Sequence, residues 1–508
     1  MSLKPRIGPG VLFASLSLAA VVPAWAQKLP GVPLASKPAV EQYLLLGNAT
    51  RDASEPIIAI NPTNTKNIVV VAMGNLQLMP GVNPPVPYRT SRYVLKYQSY
   101  PYSTTPWVAV TQNGGRTWNV SRLPVLGGKF KRDPDPFVGV TAKGVFIAGA
   151  NVREVIPPWY GENATVFSTN EGRTWSARVN GINSFNREPY PRFAPGLEPI
   201  MHGNSPWARP FLKFDDQTGV VYLTVQGGLT AAAPVDRGHK WRRESYFAAS
   251  RNDGRSWGTI FAADDAKWPQ LGSADLAAGH GTLAEVYVAA SVPSSQHARC
   301  PCEVFGISRD AGHTFVRHVM RNVHLQPHGA NYYKTELVYQ TSSRVGSNGS
   351  LGWLAADPVV AGRYSVLSYS TEPTPHFEVA TSDDYGKTWS QFVAIGSVPG
   401  AKWAIKPWLK YSRFGVLGLE WRAVYANYSY DVWAAISKDG GRSFSSPLRI
   451  SSGKSRGDDY YRDGGNYADD FQDLAMSRRH MYVVWADFRS GFRGTWIGRV
   501  PLSSFHIN

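Results

Sequence analysis

Charged residues recur at one kind of position in this 508-residue chain: just ahead of a short apolar run, and usually followed by proline. Glu55-Pro-Ile-Ile-Ala-Ile, Asp135-Pro-Phe-Val-Gly-Val, Arg209-Pro-Phe-Leu-Lys-Phe and Lys406-Pro-Trp-Leu-Lys-Tyr are the clear copies, and Trp268-Pro-Gln-Leu is a weaker one. Arg51 and Asp52 lie close before Glu55, Arg132 and Asp133 before Asp135, and Asp469 and Asp470 before a late apolar run that starts at Phe471. Carboxylates of this kind can move protons, and neighbouring arginine or lysine can hold an anion. Glu55, Asp135 and Asp470 are therefore the candidate acid and base groups. Arg51, Arg132, Arg209, Lys406 and Arg489 are the candidate anion holders.

Two long connecting segments add binding candidates. Residues 76–106 carry Tyr88, Arg89, Arg92, Tyr93 and further tyrosines, and residues 181–208 carry Arg187, Tyr190, Arg192 and His202. Aromatic faces stack on sugar rings, so Tyr88, Tyr93, Tyr190 and His202 join the substrate-binding set. The stretch Asp458–Asp473 is rich in aspartate and could hold Ca²⁺ through carboxylate oxygens, but its spacing matches no EF-hand loop. No metal ligands and no cofactor are assigned. Cys300 and Cys302 flank Pro301 and read as a loop staple or as free thiols.

Positioning such residues around one site needs a repeating scaffold, and the chain contains one. Six segments share the pattern Ser/Thr-x-Asp/Asn-x-Gly-x-Thr/Ser-aromatic: Thr111–Trp118, Ser168–Trp175, Ser250–Trp257, Ser308–Phe315, Ser382–Trp389 and Ser437–Phe444. The hydroxyl and the Asp or Asn suit a tied-up turn, Gly supplies a positive φ, and the aromatic can plug a neighbouring layer. Each turn follows a strand rich in Val, Ile and aromatics, and each charged-Pro segment opens another. This is a repeat architecture of four-stranded units with the pattern turn between the third and fourth strands. The fold expectation is all-β, a single β-propeller with seven blades favoured and six as the alternative. Glu41 to Leu46 could supply the outer strand that closes the last blade. In such a ring the segments opening the inner strands crowd the axial mouth, on the face opposite the pattern turns.

The pattern is the Asp-box, and the chain resembles the sialidase-type (BNR repeat) β-propellers over residues 50–500. The resemblance implies a propeller, and activity on or binding to glycans. Sialidases hold the sialate carboxylate with three arginines, use a Tyr–Glu pair as nucleophile and an Asp as acid/base. Their tyrosine opens a Tyr-Ser-Asp-Leu-like strand in the last blade, where this chain has Phe471-Gln-Asp-Leu-Ala475. Their Phe/Tyr-Arg-Ile-Pro sequence is absent here, and Arg51 is the nearest positional substitute.

Residues 1–26 read as a secretory signal: Lys4 and Arg6, an apolar stretch from Val11 to Val22, then Ala24-Trp25-Ala26 before Gln27. Residues 27–50 then form the closing segment and 51–508 the propeller, in the periplasm or outside the cell. The formal charge of +16 favours an anionic partner. An anionic glycan or polysaccharide fits it. Nucleic acid does not, because neither a recognition helix nor a basic tract is present, and no later run is long enough to span a bilayer. Oligomeric state is left open. Three functions remain: a glycoside hydrolase on sialylated or uronate-bearing glycans, a non-catalytic glycan- or protein-binding propeller, and a polysaccharide lyase using His or Tyr as base.

Overall fold

The protein is described by a computed structural model. It covers residues 40–506 apart from 50, 52, 75–104, 127–129, 133–134, 155–160, 184–187, 196, 198–207, 227–244, 264, 266, 271–273, 323–351, 371–375, 428 and 457–470. Seven antiparallel sheets follow one another along the chain, each of four strands, with a short fifth strand added in the sixth. The result is an all-β propeller of seven blades, which settles the choice between seven and six. The inner strands are Ser54–Ile60, Pro136–Val140, Ala208–Asp215, Asp275–Gly279, Gly352–Ala356, Trp403–Tyr411 and Asp473–Met476.

Most blades are simple meanders, since short turns can join only antiparallel neighbours. The seventh departs from this. Its outer strand is Glu41–Leu46, paired antiparallel with Gly494–Pro501, so the two ends of the propeller share one sheet. In the second blade, Phe130–Arg132 joins the sheet, and bridges Thr165–Val179 and Glu162–Asn183 form the outer edge.

The core lies between blades. Strands buried on both faces read as continuous apolar runs, and Ile68-Val-Val-Val-Ala72 is wholly buried for that reason. All six pattern segments fold into the same turn. The Ser or Thr hydroxyl donates to the Asp or Asn Oδ1 at 2.7–2.9 Å. That hydroxyl also accepts the glycine amide at 2.7–3.1 Å. At Gly386 the φ is 81°, and a Cβ there would collide with the Phe305 ring of the preceding blade, so glycine is required twice over.

The charged-Pro segments behave differently from the expectation that Pro takes the first place in its strand. Pro136 does so. Glu55, Arg209 and Lys406 instead sit inside their strands, each with its Pro, where two residues oppose one on the partner strand. These are β-bulges, and a bulge is where a missing N–H costs least. In the fourth blade the inner strand is Asp275–Gly279, later than the weak Trp268-Pro copy.

Candidate functional site

Glu55, Arg209 and Lys406 share one unusual backbone state. Their φ angles are 52°, 60° and 49°, the left-handed region that residues with a Cβ rarely enter. Such conformations persist only where neighbours hold them, and they cluster at ligand sites. The neighbours are visible. The Arg209 amide donates to Asp135 Oδ2 of the second blade at 2.6 Å. The Lys406 carbonyl accepts from Gln472 Nε2 of the seventh blade at 2.8 Å, and Gln472 Oε1 accepts from Arg422 Nε at 2.7 Å. Ahead of Glu55, the Ala53 carbonyl accepts from Thr495 Oγ1 at 2.9 Å and the Ala53 amide donates to the Arg493 carbonyl. One acid and two cations from the first, third and sixth blades thus stand at equivalent places on the axial end. Glu55 and Lys406 are 7% and 5% exposed.

Two residues further along the same strands the axis is filled. Phe211 and Trp408 meet with ring centroids 5.3 Å apart, and Phe471 lies 5.4 Å from Phe211 and 6.2 Å from Trp408. Ile57 and Val138 pack into the same cluster. Charged residues thus stand at the opening ends of three inner strands, with an apolar aromatic floor two residues further in. Phe471 is 1% exposed, which gives a packing reason for the ring without a hydroxyl: a phenol O–H there would be buried among apolar groups.

Beneath the floor the sixth and seventh blades enclose a polar seam. Asp473, fully buried, accepts from the Ile58 amide at 3.1 Å and from Lys410 Nζ at 2.6 Å. Burial raises its pKa, against the pull of Lys410. Glu420, also fully buried, has neither carboxyl oxygen hydrogen-bonded among the described residues. Burial pushes its pKa well above the usual range, and the charge on Asp473 adds to the rise.

The sequence candidates divide by position. Glu55, Asp135, Arg209 and Lys406 come to the mouth. The Arg51 amide donates to Asn48 Oδ1 at 2.9 Å in the connection from the closing strand to the first blade. Arg132 is in the added strand of the second blade. Arg489 is not at the axis. Its guanidinium donates to Asp487 at 2.8 Å, Ser452 at 2.9 Å and Gln42 at 3.2 Å, and stacks on Trp496. It joins the outer strands of the sixth and seventh blades. The backbone near Tyr190 runs beside the outer strand of the third blade, since the Arg192 carbonyl accepts from the Ile260 amide. Tyr88, Tyr93, His202 and Asp470 lie outside the described residues, as does the acidic stretch up to Asp470. Asp473, at its end, is committed to Ile58 and Lys410.

Sequence reasoning missed Glu420, Arg422 and Gln472. A usable signal existed for their seam: Lys410 and Asp473 are 63 residues apart and Lys213 and Asp275 are 62 apart, each one blade period. Cys300 and Cys302 form a disulfide. Among the described residues no group of three His, Cys, Asp or Glu is placed to hold a metal, and no helix is long and apolar enough to cross a membrane.

No family model matches the chain, and no curated protein matches it. Solved structures of low identity do. A Dyadobacter fermentans protein of unknown function is 11% identical, with 91% of this chain and 99% of that one covered and a TM-score of 0.45. A Trypanosoma rangeli sialidase in complex with 2,3-difluorosialic acid is 10% identical, covering 91% and 59%, with a TM-score of 0.43. A Penicillium chrysogenum alpha-L-arabinanase complexed with arabinobiose is 14% identical, covering 73% and 94%, with a TM-score of 0.38. The seven blades are established by the strand pairing of this chain itself.

Proposed function

We infer that this is an exported glycoside hydrolase that binds an anionic glycan in the axial mouth. The observation that carries the reading is the shared left-handed state of Glu55, Arg209 and Lys406 in equivalent bulges of three blades. Backbone strain of this kind, repeated at one bulge position in three blades, costs about 1–3 kcal/mol per residue and clusters where side chains are held for a ligand. Arg209 and Lys406 supply the positive charge for a sialate or uronate carboxylate. Glu55 supplies a carboxyl for general acid or base work, and Asp470 is the second carboxylate. Asp135 orients the Arg209 backbone. With phenylalanine at position 471, bond cleavage falls to a carboxylate pair, whose separation sets retention or inversion. The signal at residues 1–26 delivers the protein to the periplasm or the medium.

Mass spectrometry of sialylated and uronate-rich glycans after incubation with residues 27–508 tests this. Products carrying added water support hydrolysis, and Glu55→Gln should then abolish them. Unsaturated sugar ends would replace hydrolysis by elimination and direct attention to Tyr190 and His202. Phe471 favours one second reading, a binding propeller without catalysis. Retention of the same glycans on immobilised protein, with no product, would establish that reading instead.

A further inference from the structure

Below the aromatic floor the axis widens again into a cavity of about 590 Å³, lined by the inner strands and opening on the face of the pattern turns. Pockets of roughly 300–1,000 Å³ are the size that small ligands occupy. Phe211 and Trp408 line it at the end nearer the strand openings. Its opening is crossed by Arg413 of the sixth blade and Asp216 of the third, paired at 2.7 Å although 197 residues apart. Its lining includes none of Glu55, Arg209 and Lys406.

The lysine, arginine and aspartate side chains on its wall are paired, and Gln217, His280, Tyr411 and Ser412 add uncharged polar groups. Lys213 Nζ is 2.8 Å from Asp275 Oδ1, and Lys410 Nζ is 2.6 Å from Asp473. Lys213 and Lys410 both line the cavity, as do Arg413 and Asp216 at its entrance. Each cation already has its counter-charge, so a charged guest would lose its water without gaining a free partner. A neutral guest with hydroxyls would not. Ammonium N–H groups and the Asp275 carboxylate offer it donors and acceptors. Trp408, only partly buried, and Trp353 offer aromatic surface, while Ala277, Ala355 and Leu409 leave room for an apolar ring face.

The geometry points to a second ligand site in this cavity, taking a neutral monosaccharide or cyclic polyol that enters from the turn face past the Arg413–Asp216 pair.

Calorimetric titration of residues 27–508 with glucose, galactose and inositol, against gluconate as the anionic control, tests the proposal. At least one neutral compound should bind in the millimolar range, and gluconate about tenfold or more weaker. Ala355→Leu should abolish that binding by filling the space, with an unchanged melting temperature showing that the protein remains folded. Arg413→Ala should speed association by opening the entrance and leave folding intact. Glu55→Gln should leave the affinity unchanged, which separates this site from the mouth whatever the mouth's activity proves to be. Binding by none of the neutral compounds up to tens of millimolar would overturn the proposal. So would gluconate binding as tightly as glucose, or sugar binding that survives in folded Ala355→Leu.

Discussion

The propeller contains the same cross-blade clamp twice, and the two copies differ by one buried acid. In the first, Lys213 of the third blade pairs with Asp275 of the fourth, which accepts the Leu354 amide of the fifth at 2.9 Å. In the second, Lys410 of the sixth pairs with Asp473 of the seventh, which accepts the Ile58 amide of the first. Each aspartate thus ties three consecutive blades. The residue facing Phe211 across the ladder is Thr224, whose hydroxyl donates to the Phe211 carbonyl at 3.3 Å. The residue facing Trp408 is Glu420. Lysine, aspartate and amide are enough for the clamp, because the first copy works without a glutamate. Glu420 is an addition confined to the seam beside ring closure, and its raised pKa makes that seam sensitive to proton concentration.

Breaking the clamps should give the largest effects. Asp473→Ala removes a fully buried carboxylate that holds the Ile58 amide and the Lys410 ammonium; with Lys410 36% exposed, and so screened, it should lower unfolding free energy by about 1–3 kcal/mol, read from denaturant curves. Asp275→Ala should cost more, since the ammonium it strands, Lys213, is 18% exposed where Lys410 is 36% exposed. Equal losses would remove the distinction between the copies. Phe471→Tyr comes next. Its hydroxyl enters the apolar floor, and a cost of about 1–3 kcal/mol in the same measurement is expected, with no gain of sialidase turnover.

Glu420→Gln sharpens the comparison through pH. A carboxyl whose folded pKa is raised contributes its stability fully at low pH and loses it as pH rises through the folded value. The natural protein should therefore lose stability as pH rises from the ordinary glutamate range up to that value. Glu420→Gln should flatten the loss, and Thr224→Glu should create a similar one in the first clamp. Melting temperatures across pH 5 to 9 decide this, and parallel curves for all three proteins would refute it. The smallest effect is expected at the exposed turns, with the opposite sign. The bond from the Thr314 hydroxyl pulls Asp310 down to about 2, so its contribution is present above the ordinary carboxylate range and lost as pH falls toward 2. Asp310→Asn should reduce the acid-side loss slightly, visible only as a shift in the acid unfolding midpoint.

What the sequence disclosed follows from range. The six turns and the strand count were legible because hydroxyl, carboxyl and glycine act within five residues, and because strand patterning is local. Glu55, Arg209 and Lys406 were legible as residues that open inner strands, but their bulges were not. A bulge is a relation between two strands, seen only when Ser54 pairs with Met73 and Ile57 with Val71. Arg489 was misplaced for a similar reason: its role is set by Gln42 and Ser452, which the chain brings to it from elsewhere. The Phe471 ring was read correctly as unable to act as a nucleophile. Its partners Phe211 and Trp408 come from other blades, so the floor they build could not be seen.

The strand Glu41–Leu46 is synthesised before all the blades, and its partner Gly494–Pro501 after them. No shorter stretch of nascent chain contains both halves of that sheet. Closing the circle therefore requires both ends of the propeller sequence, and a chain interrupted before Gly494 lacks the partner of its first strand.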